Sequence, residues 1–482
     1  MEEDLRLTRS PTRYVSLLGL GFGDCGKGLF TDHLCRRWAA HTVVRFNGGA
    51  QAGHNVVLAD GRHHTFSQFG AGSFVPGTAT VLAYPVVVHP TALLVEDAAL
   101  RRAGVHDGLD RLRVDARCRV TTPFHQAAGR LREWARGAAA HGSCGVGAGE
   151  TVRQALADPA TALHYGELAD TGLALGKLDA IRLALQRAFS EPGFPQGPHG
   201  PHDRQGRHGM NGVPEGEAQE RALLADPNVA HRWLAAVQPC LDRAPPASPE
   251  AIAARLALPG TVLFEGAQGV LLDEWRGFHP HTSWSTVSTA AVEAVLADAG
   301  ITAPVRHLGV LRSYATRHGA GPLPTADAAL DVLAEPHNTG DGWQGRFRRG
   351  QPDAVLLRYA LRAAGRLDGL LVSHLDAITH MANPMAAVAT AGGGLRWCDA
   401  YRLGPETTLR SLPWKTTPDL AHQSALTALL GAATPVYEAD AVFTPAQWIA
   451  RAEAVSRLPV LLGAFGPQSE DVQRFAAASW MD

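Results

Sequence analysis

Gly21, Gly26 and Lys27 in the stretch GLGFGDCGKG (19–28) stand at the G-x-x-x-x-G-K spacing of a phosphate-binding loop. The next residue should be Ser or Thr, whose hydroxyl would help to hold Mg²⁺, but it is Gly28, and a carboxylate, Asp24, sits inside the loop. The chain has three lysines, Lys27, Lys177 and Lys415, against a large excess of arginine. A sequence so poor in lysine keeps one directly after Gly26. A compact ammonium enters a narrow phosphate cradle where a broad guanidinium does not, so Lys27 is expected to touch phosphate. The loop leaves a question: what a nucleotide enzyme does with a carboxylate beside the phosphates.

The surrounding pattern supplies the elements such a loop needs. YVSLLGL (14–20) reads as a short buried strand. Leu29, Phe30, His33, Leu34, Arg37 and Trp38 then recur at helical spacing. HTVVRF (41–46) and HNVVL (54–58) read as strands flanking NGGAQAG, and ATVLAYPVVVHP (79–90) as a strand pair or bent strand. Residues 92–103 and 126–140 read as helices. Further strands are expected at GTVLFEGAQG (260–269), VRHLGVLRSYATR (305–317), LDGLLVSHLD (367–376) and SRLPVLLGAFG (456–466). Strands alternating with Ala/Leu-rich helices predict an α/β fold of phosphate-loop NTPase type. Its mostly parallel central sheet is flanked by helices, with smaller accessory elements. The polar clusters follow strands, where ligands gather in such sheets. Residues 190–217, rich in Pro, Gly and His, are expected to form a surface loop within one domain spanning 14–470. Its histidines lack regular metal-ligand spacing.

Composition excludes other classes. The formal net charge of −2 gives no field for nucleic acid or an anionic membrane. No apolar run approaches the ~18 residues of a membrane span. The charged start MEEDLRLTRSPTRYV lacks an apolar signal segment, and the six cysteines form no C-x-x-C pair. A cytoplasmic location with free thiols is therefore expected.

Six polar loops occur in a fixed order: GDCGKG, FNGGAQAGH, FEGAQG, YATRHGAGPLPT, GRFRRG and SHLD. In these loops the chain resembles the adenylosuccinate synthetase family, from about residue 14 to about residue 470. The resemblance implies a GTP-dependent ligase that uses Mg²⁺. It joins the amine of aspartate to C6 of the purine in IMP after O6 has taken the γ-phosphoryl of GTP. It also implies roles. Asp24 is the general base, within reach of N1 of the purine, and a contact of Mg²⁺. Lys27 neutralises the transferring phosphoryl, and the amides of Gly26 and Gly28 cradle its oxygens. His54 donates to O6 or the γ-phosphate, and the Gly53 carbonyl ligands Mg²⁺. Gln51 and Gln268 hold the purine nucleotide. Arg346 and Arg348 match the aspartate-binding loop, and Arg317 lies near the substrate phosphate or sugar. Asp376 reads guanine through N1–H and N2–H, with Gly466 and Pro467 beside the base. Arg153 is the candidate for the arginine that the family's homodimer sends into the partner's site.

The same alignment of loops shows departures. Cys25 follows the base, and Leu29 replaces a lysine. The threonine-threonine-glycine-arginine loop that grips the acceptor's phosphate and sugar reads SCGVG, with Cys144 and Val146 for a threonine and the arginine. His318 takes a small apolar position beside the ribose, and His374 that of the lysine over the guanine face. The phosphoryl-transfer residues are thus kept while the acceptor and amino-acid pockets change. Two alternatives stand beside the leading reading: the same ligase chemistry on a different acceptor or amino acid, and a non-catalytic nucleotide-binding paralog.

Overall fold

A computed structural model describes residues 12–190, 215–336, 338, 343–383 and 394–481. The central sheet has ten strands, numbered here along the chain: β1 (Arg13–Gly19), β2 (Thr42–Arg45), β3 (Ala79–Leu82), β4 (Leu112–Asp115), β5 (Pro246–Ala247), β6 (Thr261–Gly269), β7 (Val305–Arg312), β8 (Gly369–Ser373), β9 (Val460–Ala464) and β10 (Val472–Arg474). Their order is β10-β9-β8-β7-β1-β6-β2-β3-β4-β5. Every neighbouring pair is parallel except β9 with β10. The expected α/β class and mostly parallel sheet are what the chain adopts. The six residues Tyr14–Gly19 and all nine of β6 are buried, as strands covered on both faces must be.

β1 lies between β7 and β6, so the strands on its two sides come from opposite excursions of the chain. The carboxyl end of such a strand opens a crevice for ligand. The glycine loop fills that position and leads into α1 (Lys27–Trp38), whose N-cap, Gly26, has φ 87°. A Cβ there would stand 2.7 Å from that of Ser373 at the end of β8, so glycine answers both the left-handed backbone and the close approach.

Two expected strands take other places. His54–Val57 forms a hairpin with His63–Phe66 outside the central sheet. The run at 305–317 breaks after Arg312, and Ala315–His318 turns away to pair antiparallel with Phe347–Gly350. That ribbon sets Arg317 opposite Arg348 and His318 opposite Phe347, joining two loops far apart in sequence. The stretch 79–90 is a strand pair, Ala79–Leu82 and Val87–Val88. The helix expected at 126–140 is Pro123–Arg136, capped by Thr122 and ended by Gly137. Most of the surface loop expected at 190–217 lies outside the described residues; Glu215–Ala225 is helical.

Candidate active site

The glycine loop holds its lysine inside. The Lys27 side chain is buried, with Nζ donating to the Gly23 carbonyl at 2.7 Å and lying 3.7 Å from the Cys25 sulfur. No carboxylate pairs with it among the described residues, so its charge is left for an anion. The first turn of α1 carries no acidic residue and no side-chain cap, which leaves its amides to a ligand as well.

Asp24 stands at the centre of a closed set of contacts. Its Oδ2 accepts from Arg312 Nη1 at 2.8 Å and from Asn338 Nδ2 at 2.9 Å. The second amino group of Arg312 donates to Glu335 and to the Tyr314 hydroxyl, and the second hydrogen of the Asn338 amide goes to Glu335 Oε2 at 3.1 Å. Burial pushes the Asp24 carboxyl up, but Arg312 above all pulls it down, and the net direction is below the ordinary carboxylate value. Arg312, Tyr314, Glu335 and Asn338 were not legible as site residues: only the pairing of β7 between β1 and β8 brings Arg312 to the loop.

His54 is held by a partner on the neighbouring strand system. Its Nδ1 lies 2.7 Å from Glu265 Oε1, and its Nε2 lies 3.2 Å from the Ala267 carbonyl. Glu265 also accepts the Ala71 amide, with Arg45 3.9 Å away. Burial drives the imidazole below its ordinary value and Glu265 opposes that drop. For Glu265 burial acts upward, but His54 and Arg45 prevail and hold the carboxylate low. Glu265 lies inside the quoted loop FEGAQG, yet no spacing rule marks it.

Beside the loop opens a cleft of about 390 Å³, lined among others by Phe22, Gln51, Cys144, Arg153, Arg317 and His318. Gln51 Oε1 and both polar atoms of the buried Gln268 amide have no protein partner. Gly48, on the cleft wall, has φ 72°, and a Cβ there would stand 2.5 Å from Gln268 Nε2. A second cavity of about 80 Å³ borders Asp24 and shares Phe22 with the cleft. The loops carrying Asp24 and Gln268 touch directly, since the Leu271 amide donates to the Gly21 carbonyl at 3.2 Å.

The four arginines expected at the site take different places. Arg317 is buried with its guanidinium on the carbonyls of Ala320, Pro322 and His281 and against the Phe22 ring at 4.0 Å. Burial lowers it to about 9, with Arg348 adding to the effect. It shapes the cleft wall rather than offering a free fork. Arg346 and Arg348, expected to grip one amino acid together, do not converge: Arg346 is an exposed side chain paired with Asp331, while Arg348 donates to the carbonyls of Gly319 and Gly321. Arg348 lies on the strand Phe347–Gly350, and Arg346 precedes it. Arg153 lines the cleft of its own chain and lies 3.4 Å from Glu150. Cys144 is a thiol raised by burial, and His318 packs on Phe347.

At the other end of the loop, the carboxyl ends of the adjacent strands β8 and β9 deliver His374, Asp376, Gly466 and Pro467. His374 has φ 59°, bonds Ser373 Oγ through Nδ1 at 2.9 Å, and is lowered to about 3 by burial and by Arg312. Asp376 opens the helix Asp376–Ala382, its carboxyl raised by burial.

No group of three or more His, Cys, Asp or Glu able to hold a metal occurs among the described residues. Mg²⁺ takes few protein ligands, so one carboxylate together with substrate phosphates would suffice to hold it. Asp24 is the carboxylate of the glycine loop, and among the described residues its Oδ1 accepts no protein hydrogen bond.

Residues 16–190 and 229–423 match the family model described as adenylosuccinate synthetase. The chain is 31% identical over 407 residues to the adenylosuccinate synthetase of Symbiobacterium thermophilum, covering 83% of each protein. To that of Rhodococcus opacus it is 32% identical over 374 residues, covering 76% of this chain and 78% of the other. The fold is similar to that of fully ligated adenylosuccinate synthetase from Plasmodium falciparum, with a TM-score of 0.72 at 19% identity, covering 96% of this chain and 100% of the other. It is also similar, with a TM-score of 0.51 at 18% identity over 96% and 95%, to the cyanophage S-2L succinoaminodeoxyadenylate synthetase bound to dGMP and dATP.

Proposed function

The chain belongs to the adenylosuccinate synthetase family, and from that premise we propose how its residues carry out the family's reaction. The protein is a GTP-dependent ligase that forms a C–N bond and gives an adenylosuccinate-type product. The acceptor is a 6-oxopurine nucleotide of the IMP kind, and the amine is that of aspartate.

Asp24 takes the proton from N1, which makes O6 a nucleophile toward the γ-phosphoryl of GTP. Phosphorylation turns a poor leaving group into phosphate, which the incoming amine displaces from C6. Lys27 and the first amides of α1 hold the transferring phosphoryl. Glu265 fixes the ring of protonated His54 through Nδ1–H, and the Nε2–H, 3.2 Å from the Ala267 carbonyl in the free protein, turns to where negative charge collects. Gln51 and Gln268 offer donor and acceptor to the purine. Asp376 accepts from guanine, with His374, Gly466 and Pro467 around the base. Mg²⁺ held by Asp24 and the Gly53 carbonyl would supply charge neutralisation on the phosphates. The enzyme acts in the cytoplasm as a homodimer folded as one domain over 14–470, a reading supported by the family and by the absence of any helix long and apolar enough to cross a membrane among the described residues.

The observation that carries this reading is the set of unpartnered amide atoms on Gln51 and Gln268, buried beside a loop whose lysine also lacks a carboxylate. Buried polar groups are ordinarily satisfied, so these await a polar ligand. The test is incubation with GTP, Mg²⁺, IMP and aspartate, following phosphate release and product mass. Asp24→Asn should stop turnover while GTP still binds; retained turnover removes Asp24 as the base.

A further inference from the structure

We propose that Glu335 is a positioning residue for Asp24: by occupying the second amino group of Arg312, it keeps the guanidinium from closing over both carboxylate oxygens and leaves Oδ1 open to substrate. The inference rests on the reading of Asp24 as the base. An arginine fork facing a carboxylate prefers two parallel bonds. Arg312 instead makes one, Nη1 to Asp24 Oδ2 at 2.8 Å, although its side chain is only 3% exposed and cannot turn to water. Its Nη2 is held by Glu335 and by Tyr314 Oη at 2.6 Å, over whose ring the guanidinium sits at 4.5 Å.

Asn338 completes the arrangement. Its amide gives one bond to Asp24 Oδ2 at 2.9 Å and one to Glu335 Oε2 at 3.1 Å, so the two carboxylates are tied at a fixed separation by two bifunctional donors. Both donors to Asp24 use the same oxygen. Without Glu335 the Nη2 group loses its anionic partner, and the carboxylate to which Arg312 stays bonded is that of Asp24. A guanidinium bonded to both oxygens would stand between the base and the heterocycle.

Glu335→Ala is expected to lower kcat roughly ten- to a hundredfold, a part of the ~10²–10⁴ that a general base contributes. KM for GTP and for aspartate should stay within about threefold. Glu335→Gln, which still offers an acceptor oxygen to Nη2, should restore most of the loss. Placing Glu335→Ala on Arg312→Lys should add little, because an ammonium has no fork to close. A crystal structure of Glu335→Ala should show Arg312 bonded to both oxygens of Asp24. A single Arg312–Asp24 bond in that structure, full additivity with Arg312→Lys, or KM values that rise while kcat holds would each overturn the proposal. If wild-type protein turns over no IMP and aspartate, the reading of the reaction fails by itself, and the geometry of the variant still decides the role of Glu335.

Discussion

Glu265 accepts the Nδ1–H of His54 at 2.7 Å, and neither side chain is more than 4% exposed. Burial lowers the imidazole's affinity for a proton, and the Glu265 charge is the main force that restores it. Glu265→Gln keeps the shape and removes that charge, so burial acts with less opposition and His54 loses its proton at lower pH. If His54 donates from Nε2, the alkaline limb of the kcat profile moves to lower pH, and kcat at neutral pH falls about ten- to a hundredfold. A limb that stays in place would show that another group carries that proton.

Gln268 has the opposite balance between stability and binding. Its amide is buried and both polar atoms lack a protein partner. An unsatisfied buried polar group costs about 1–3 kcal/mol. Gln268→Leu should therefore leave the ligand-free protein as stable as the parent or more so by up to that amount, while raising KM for the acceptor roughly tenfold or more. Thermal unfolding with and without IMP measures both. Loss of stability in the free variant would mean that the amide is satisfied, by water or otherwise, before substrate arrives.

The sheet and the phosphate loop were legible because long apolar runs and a glycine-rich break are local properties. YVSLLG and TVLFEGAQG read as buried strands and are β1 and β6. Asp24, Lys27 and His54 are conspicuous because each stands in a glycine-rich loop. Arg312, Glu335 and Asn338 carry no local mark: the order β8-β7-β1, which no stretch of sequence states, brings Arg312 to the loop, and Glu335 and Asn338 meet it from a segment outside the sheet. The arginines of GRFRRG show the converse limit. The resemblance implied a shared grip, but Arg348 lies on the strand paired with Ala315–His318 and donates to the carbonyls of Gly319 and Gly321, while Arg346, just outside that strand, pairs with Asp331.

Asp376 should decide which nucleotide donates. As a carboxylate it can accept from both N1–H and N2–H of guanine, and an amide in its place brings a donor against one of them. Asp376→Asn is expected to reduce the preference for GTP over ITP and ATP roughly ten- to a hundredfold in kcat/KM. Burial raises its carboxyl above the ordinary value, so protonation on acidification should weaken GTP binding earlier than an exposed aspartate would. An unchanged nucleotide preference would remove Asp376 from the guanine site.

Asp353 makes a prediction about stability alone. It caps the helix Ala354–Ala364, taking the Leu356 amide at 2.9 Å, and it accepts the buried Tyr401 hydroxyl. Burial outweighs these bonds and pushes its carboxyl up to about 6. The folded chain therefore binds this proton more tightly than the unfolded chain, where an aspartate titrates near ~3.9. The sign follows: the stabilising contribution is complete below pH ~4 and is lost as pH rises through about 6, a difference of about 3 kcal/mol at ~1.4 kcal/mol per pH unit. Asp353→Asn remains a competent helix cap and carries no charge at any of these pH values. It should gain on the parent protein as pH rises from 4 to 7, by about 2–3 kcal/mol in denaturant unfolding, with the two curves meeting in acid. A constant gap between variant and parent across that range would mean that Asp353 keeps an ordinary carboxylate pKa despite its burial.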